Sequence, residues 1–460
     1  MQGTQLKALQ ENDSGITGAL DLIAGFDDAL VHGFARLGEE RASALAALAA
    51  AMAVTPLGER VGEAVEKVSA GSIADEHLMA LAGARAALFG AVHDALLSRL
   101  DEATGRRRAL WAAPAGAVAT EHPNLLAGSR SWLRELAIAG WRGVDHDLVS
   151  GAAQTLQAVL AEPALRRLAV LLDGLAAELR AASPISTMER LPVRRWADLW
   201  TRALLLSQPG AAARPEPEPV SGRLLILGVD VHEHATVIQL QVHGILESSG
   251  DPRLVRASVS APKVDTIVGL AVWQLLQQHK VLLHALARHT SLKLTEMPLL
   301  PGGDLIWDDD KARPDGEADP FVTARLVLPN ASAPAVSPLQ RHPAGIAEPV
   351  LLEGYTATDV SVNVSGTELT VAPGRLPLCG PLTRELVAAS TACIGLLRWD
   401  AGRWLIQPLA VQATTKKAQV NVHNGDWAQG PTDLKAVKTE AKALDAVSVL
   451  RERAGRLLRT

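Results

Sequence analysis

The sequence predicts a multidomain protein of α and α+β class: a helical first half, a Pro-rich linker, and a mostly antiparallel, strand-rich second half that ends in an amphipathic helix. Three observations predict this. Apolar residues recur at spacings of three to four up to about residue 208, the period of a helix face. The stretch PGAAARPEPEPVS at 209–221 alternates Pro with Glu and offers little to bury, as an extended, semi-rigid connection does. From Arg223 onward the period drops to two, the alternation of a half-buried strand. The expected organisation is an all-helical domain at 1–208, the linker at 209–221, a strand-rich α+β domain at 222–432 and a helix at 433–460.

In the first half Ile16, Leu20, Ile23, Leu30, Phe34 and Leu37 set the helical spacing, which continues through 16–53, 57–69, 75–103, 130–139, 147–181 and 193–207. Breaks are expected at Thr55-Pro56, Ala70-Gly71, Thr104-Gly105 and Ser183-Pro184, where Pro and Gly interrupt the pattern. Asp75-Glu76 suits a helix start, because carboxylates meet unpaired backbone N–H groups there.

In the second half, strands are expected at 224–231, 235–246, 254–261, 291–297 and 321–328, with helical spacing across 264–289. Two hairpins follow: 358–373 turning at Ser365-Gly366, and 393–411 turning at Asp400-Ala401-Gly402, before a last strand at 418–424. Adjacent hairpins imply antiparallel neighbours. From Asp433 to Thr460 an apolar stripe runs through Leu434, Val437, Ala441, Leu444, Val447, Leu450, Ala454 and Leu457. Seven cations against four anions give that segment +3, and the stripe needs burial on its own domain or on a partner.

Composition narrows the function. Hydrophobic residues make up 48% of the 460, ample for a core, and a net charge of −5 argues against a bulk nucleic-acid binder. Two cysteines, Cys379 and Cys393, are too few for a disulfide scaffold and fit a reducing compartment such as the cytoplasm. The N-terminus lacks a signal pattern, and no run of about 18 apolar residues points to a membrane span.

Four clusters bear on chemistry. Asp230, His232 and His234 alternate, so an extended strand would point them to one face; a carboxylate with two imidazoles is a workable donor set for a transition metal. The commoner reading of the same residues is a polar turn between two apolar strands. Asp308, Asp309 and Asp310 head an acidic loop that reads as solvated, as a weak Ca²⁺ holder or as a docking surface for a basic partner. Arg106, Arg107 and Arg108 precede Trp111 and read as a solvated loop, with a nucleic-acid or anion contact as the alternative. Asp359-Val-Ser361-Val-Asn363 reads as a strand with its polar face outward. Walker A, GxGxxG, GxSxG and CxxC patterns do not occur.

The segment Pro192-Val-Arg194-Arg195-Trp196-Ala-Asp198-Leu199-Trp200-Thr-Arg202-Ala-Leu204 predicts a helix with Trp196, Leu199, Trp200 and Ala203 on one face. Arg195, Asp198 and Arg202 would share another, Asp198 four residues before Arg202. The two Trp are expected to anchor the helix, or else to meet a partner. This segment resembles uncharacterised bacterial proteins encoded beside MoxR-type AAA+ ATPases, von Willebrand A proteins and SWIM zinc-finger proteins. The resemblance covers about a dozen residues and carries no catalytic residue. It implies an adaptor or scaffold subunit of an ATPase-driven, chaperone-like or conflict system, with an AAA+ ATPase or a von Willebrand A protein as partner. A metal-dependent enzyme built on Asp230, His232 and His234 is the alternative.

Overall fold

The computed structural model describes residues 1–11, 14–113, 122–211, 215–414 and 418–431. Ten α-helices precede the first strand among them: α1 (Gly3–Gln10), α2 (Ser14–His32), α3 (Glu39–Met52), α4 (Gly58–Ser69), α5 (Asp75–Thr104), α6 (Pro123–Ala139), α7 (His146–Ser150), α8 (Ala153–Ala161), α9 (Arg166–Ala181) and α10 (Val193–Leu206). The chain then forms β1 (Glu218–Glu233), β2 (Val237–Glu247), β3 (Arg253–Pro262), α11 (Lys280–Arg288), β4 (Thr290–Leu299), β5 (Asp304–Leu305), β6 (Ala312–Glu317) and α12 (Pro320–Leu326). It finishes with β7 (Ala347–Glu353), β8 (Thr356–Ala357), β9 (Ser361–Val364), β10 (Thr367–Val371), α13 (Arg384–Ala388), β11 (Ser390–Asp400), β12 (Arg403–Thr414) and β13 (Gln419–His423). This is the α and α+β organisation that the two periodicities predict.

The helical half packs around α5, whose inward residues include Leu78, Leu81, Ala82, Leu88 and Phe89. By length and composition α5 could cross a membrane, but here it is a core helix, with over half of its most apolar window buried. It ends as expected at Gly105, whose φ of 66° supplies the left-handed cap. The stretch 16–53 is not continuous. Gly33, at φ 83°, turns the chain between α2 and α3, and Gly140, at φ 68°, lies directly against it. A β-carbon on Gly140 would run into the backbone nitrogen of Gly33, so two glycines let two loops touch.

The strands form two sheets. In the first, β1 pairs with both β2 and β4, so the path β1–β2–β3–β5–β4 closes on itself, with β6 on the far side of β4. The second runs β7–β11–β12–β10–β9–β8, with β13 beside β12. Only the β3–β5 and β10–β12 pairs are parallel among the described strands. The hairpin tips fall where expected: Ser365 and Gly366 take φ 51° and 89°, and Ala401 and Gly402 take 48° and 78°. β1 begins at Glu218, inside the Pro/Glu-rich stretch, and its Val220 is buried.

The four larger apolar clusters stack in sequence. The helical core comes first. The second joins Leu6 and Leu9 of α1 and Val92, Leu96 and Leu100 of α5 to one face of the second sheet. The third lies between the sheets, where Leu225 and Leu227 of β1 meet Ile394 and Ala410. The fourth fills the first sheet from its other face, under Trp273 and the apolar side of α11. α1 therefore belongs to the sheet packing although it precedes all the other helices.

Two expectations fail locally. The strand expected at 321–328 does not form; α12 covers Pro320–Leu326 instead. Asp319 caps it by accepting from the backbone N–H groups of Phe321 (2.7 Å) and Val322 (3.4 Å), and Pro320 sits at the first helical position. Across 264–289 a 3₁₀ segment, Gly269–Leu276, comes before the shorter α11. The helix expected at 433–460 lies outside the described residues.

Candidate functional site

Trp196 and Trp200 lie in the core of the helical half, 1% and 0% exposed. Trp200 donates Nε1–H to the Leu133 carbonyl at 2.8 Å, and Trp196 donates to Glu178 Oε2 at 3.1 Å. Both are anchors, and neither presents a surface to a partner. Asp198 does not pair with Arg202 as the helical spacing suggests. It accepts from Arg85 Nη1 at 2.7 Å, and His342 Nε2 approaches its other oxygen at 3.3 Å. Arg85, 1% exposed, also grips Asp27 through Nε (2.6 Å) and Nη2 (3.0 Å). A guanidinium this deep persists because each face of its fork meets a carboxylate.

Asp230 and His232 do share a face of β1, and His232 Nε2 lies 2.8 Å from Asp230 Oδ2. That face looks toward the second sheet, where Asp230 also accepts from Arg398 Nη2 and Gln407 Nε2, each at 2.6 Å. Both its oxygens are engaged. Burial would push its carboxyl up, but His232, Arg398 and Gln407 hold it down at about 2. His234 lies in the exposed turn beyond β1. No group of three His, Cys, Asp or Glu side chains converges as a metal donor set among the described residues. Asp230 thus pins one sheet to the other.

The acidic loop is also more structural than its composition suggests. Asp309 accepts from the Val281 N–H at 2.9 Å, which caps α11 from outside, and from Trp307 Nε1 at 2.7 Å. Asp308 accepts from the Asp310 N–H, and only Asp310 is exposed. Asp359-Val-Ser361-Val-Asn363 leads into β9, with Val362 and Val364 buried.

The arginine triplet departs furthest from its expectation. Arg106 is buried and donates to Glu348 Oε2 at 2.9 Å and to the Pro349 carbonyl. Arg108 holds Asp101 through Nε (2.7 Å) and Nη2 (3.0 Å) and reaches Glu348 at 3.2 Å. Burial would raise the Glu348 carboxyl, yet Arg108 and Arg106 keep it at about 2. Nothing in the sequence signals this partner, which lies 242 residues from Arg106.

Arg108 and Glu348 of this group line a polar cleft of about 290 Å³ between the two halves. The helical half contributes His93, Arg108 and Arg202, and the strand-rich half contributes Gln241, Arg256 and Asp304. Arg256 and Asp304 are register partners on β3 and β5, and they pair in a fork at 3.0 Å per contact. Burial holds His93 below the usual histidine range, against the pull of Asp94. Beside the cleft, across the loop that carries Leu339, lies a groove of about 280 Å³. Its apolar lining is Val170, Leu171, Leu206 and Leu339, and Arg166, Arg167 and Arg202 border it. Arg202 lines both cavities. Searches of protein-family models, curated proteins and solved structures find no match to this chain, so the cleft and the groove rest on their own geometry.

Proposed function

We propose that the chain is a non-enzymatic adaptor or scaffold subunit of a bacterial, cytoplasmic, ATPase-associated assembly, and that its partner is an AAA+ ATPase or a von Willebrand A protein. The observation that carries this reading is the groove on α9 and α10. Val170 stands 66% exposed over half-buried and buried leucines, and three arginines edge the groove. An apolar floor with a cationic rim suits a partner segment that presents apolar side chains flanked by carboxylates. Two further points support it. The charged clusters at Asp27, Asp230 and Glu348 are taken up in holding layers together. Cys379 and Cys393 are buried free thiols, as a reducing compartment allows.

The test is affinity capture of the full chain at native expression, read by mass spectrometry. Recovery of an AAA+ ATPase or von Willebrand A protein is expected, and Val170→Asp should abolish it while the fold persists. Recovery of neither class, or recovery indifferent to Val170→Asp, overturns the reading.

A further inference from the structure

We propose that the polar cleft binds a small oxyanion, a phosphate group either free or carried on a monoester, with Arg202 as its principal anchor. Arg202 is half-buried on α10, yet it makes no hydrogen bond or ion pair with any described residue. The other two guanidinium groups that line the cleft are paired: Arg108 with Asp101 and Glu348, and Arg256 with Asp304. Among the residues that line the cleft three guanidinium groups face two carboxylates, and the one without a carboxylate partner is Arg202. A partly desolvated, unpaired guanidinium is costly, and an oxyanion that accepts from two of its N–H groups removes that cost.

A second observation comes from a chamber that adjoins the cleft. This chamber, of about 20 Å³, shares Arg256 and Glu348 with the cleft and ends at His243. That ring is 1% exposed, and its Nε2 has no partner in the protein. The chamber admits one water-sized group, so a ligand oxygen or its bridging water can satisfy that nitrogen. The cleft itself, at about 290 Å³, suits a ligand at the small end of the usual range.

Isothermal titration of the full chain with inorganic phosphate, and separately with glycerol 3-phosphate, tests the proposal. One saturable site is expected. The tighter of the two ligands tells whether the free ion or a monoester is the natural one. Arg202→Met should weaken binding about tenfold or more, and Arg202→Lys less, since a point charge replaces a fork. Circular dichroism should show both variants folded. Absence of saturation, or affinity unchanged in a folded Arg202→Met, overturns the proposal. Val170→Ser, which weakens the groove's apolar contact without adding a charge beside Arg202, should leave phosphate binding as in the parent chain, so the two readings fail separately.

Discussion

Asp198 and Arg202 stand one turn apart on α10 and have opposite surroundings. Asp198 turns inward to a guanidinium that is already gripped by Asp27, and the group is closed. Arg202 turns toward the cleft and meets no carboxylate. The sheet interface repeats the first case: Asp230, Arg398, Gln407 and His232 satisfy one another between β1, β11 and β12. The difference separates charge that holds layers together from charge left for something else. Removing one member of a closed group strands the rest in a medium that cannot solvate them. Removing Arg202 strands nothing.

The largest effect that tests this contrast is expected at Arg85. Arg85→Met leaves Asp27 and Asp198 without their cation and should cost about 3–5 kcal/mol, measured by urea unfolding. A loss below about 1 kcal/mol would show that the carboxylates find other partners, and the contrast would collapse.

Acid should expose the same dependence. Asp230 is held at about 2 against an ordinary 3.8, and Glu348 at about 2 against 4.5. Their folded values are depressed, so their contribution is present above the unfolded values and is lost as pH falls from about 4.5 toward 2. For Asp230 alone this is on the order of 2 kcal/mol, at about 1.4 kcal/mol per pH unit. Asp230→Asn should lower stability at neutral pH and flatten the profile in that window. A profile identical to the parent's would break the link.

His423 sharpens the picture at milder pH. Burial first, and then the neighbouring His289, hold it at about 4 against 6.5, so it is neutral in the fold. The unfolded chain binds that proton more readily, and stability should begin to fall below about pH 6.5. His423→Phe should remove this early part and leave the later acid loss in place. Urea midpoints taken between pH 7 and 4.5 check it.

The smallest stability effect is expected at Arg202 itself. Arg202→Met should change the unfolding free energy by no more than about 0.5 kcal/mol, although it lies on the same helix as Asp198. A loss as large as that of Arg85→Met would mean that Arg202 is structural, and the open half of the comparison would disappear.

Much of the fold was legible because helices and strands print their period on the chain. α5 was expected at 75–103 and spans Asp75–Thr104, and both hairpins turn at the predicted residues. Local reading failed where a cap or a contact outweighed the period. Phe321, Val322 and Val327 look like a strand, yet Asp319 and Pro320 start a helix there. The break falls at Gly33, whose positive φ ends the helix, and the tertiary structure adds that Gly140 lies against it. Of the residues singled out for chemistry, Trp196, Trp200, Asp230 and Asp309 are absorbed into packing. The cleft lies where the two halves face each other, but the local sequence places Arg108 of its wall in a solvated loop.

The sequence by itself determined the order of helices and strands, the turns between them and the composition of the buried faces. These follow from interactions among residues a few positions apart. Only the tertiary structure decided which charges are closed and which is open. Arg106 finds Glu348 across 242 positions, Arg85 finds Asp198 across 113, and Arg398 finds Asp230 across 168. An ion pair over such separations has no local period, because it depends on which layers stack and not on the spacing along any one of them. Arg202 is left out of that pairing, and no pattern in its own segment distinguishes it from Asp198.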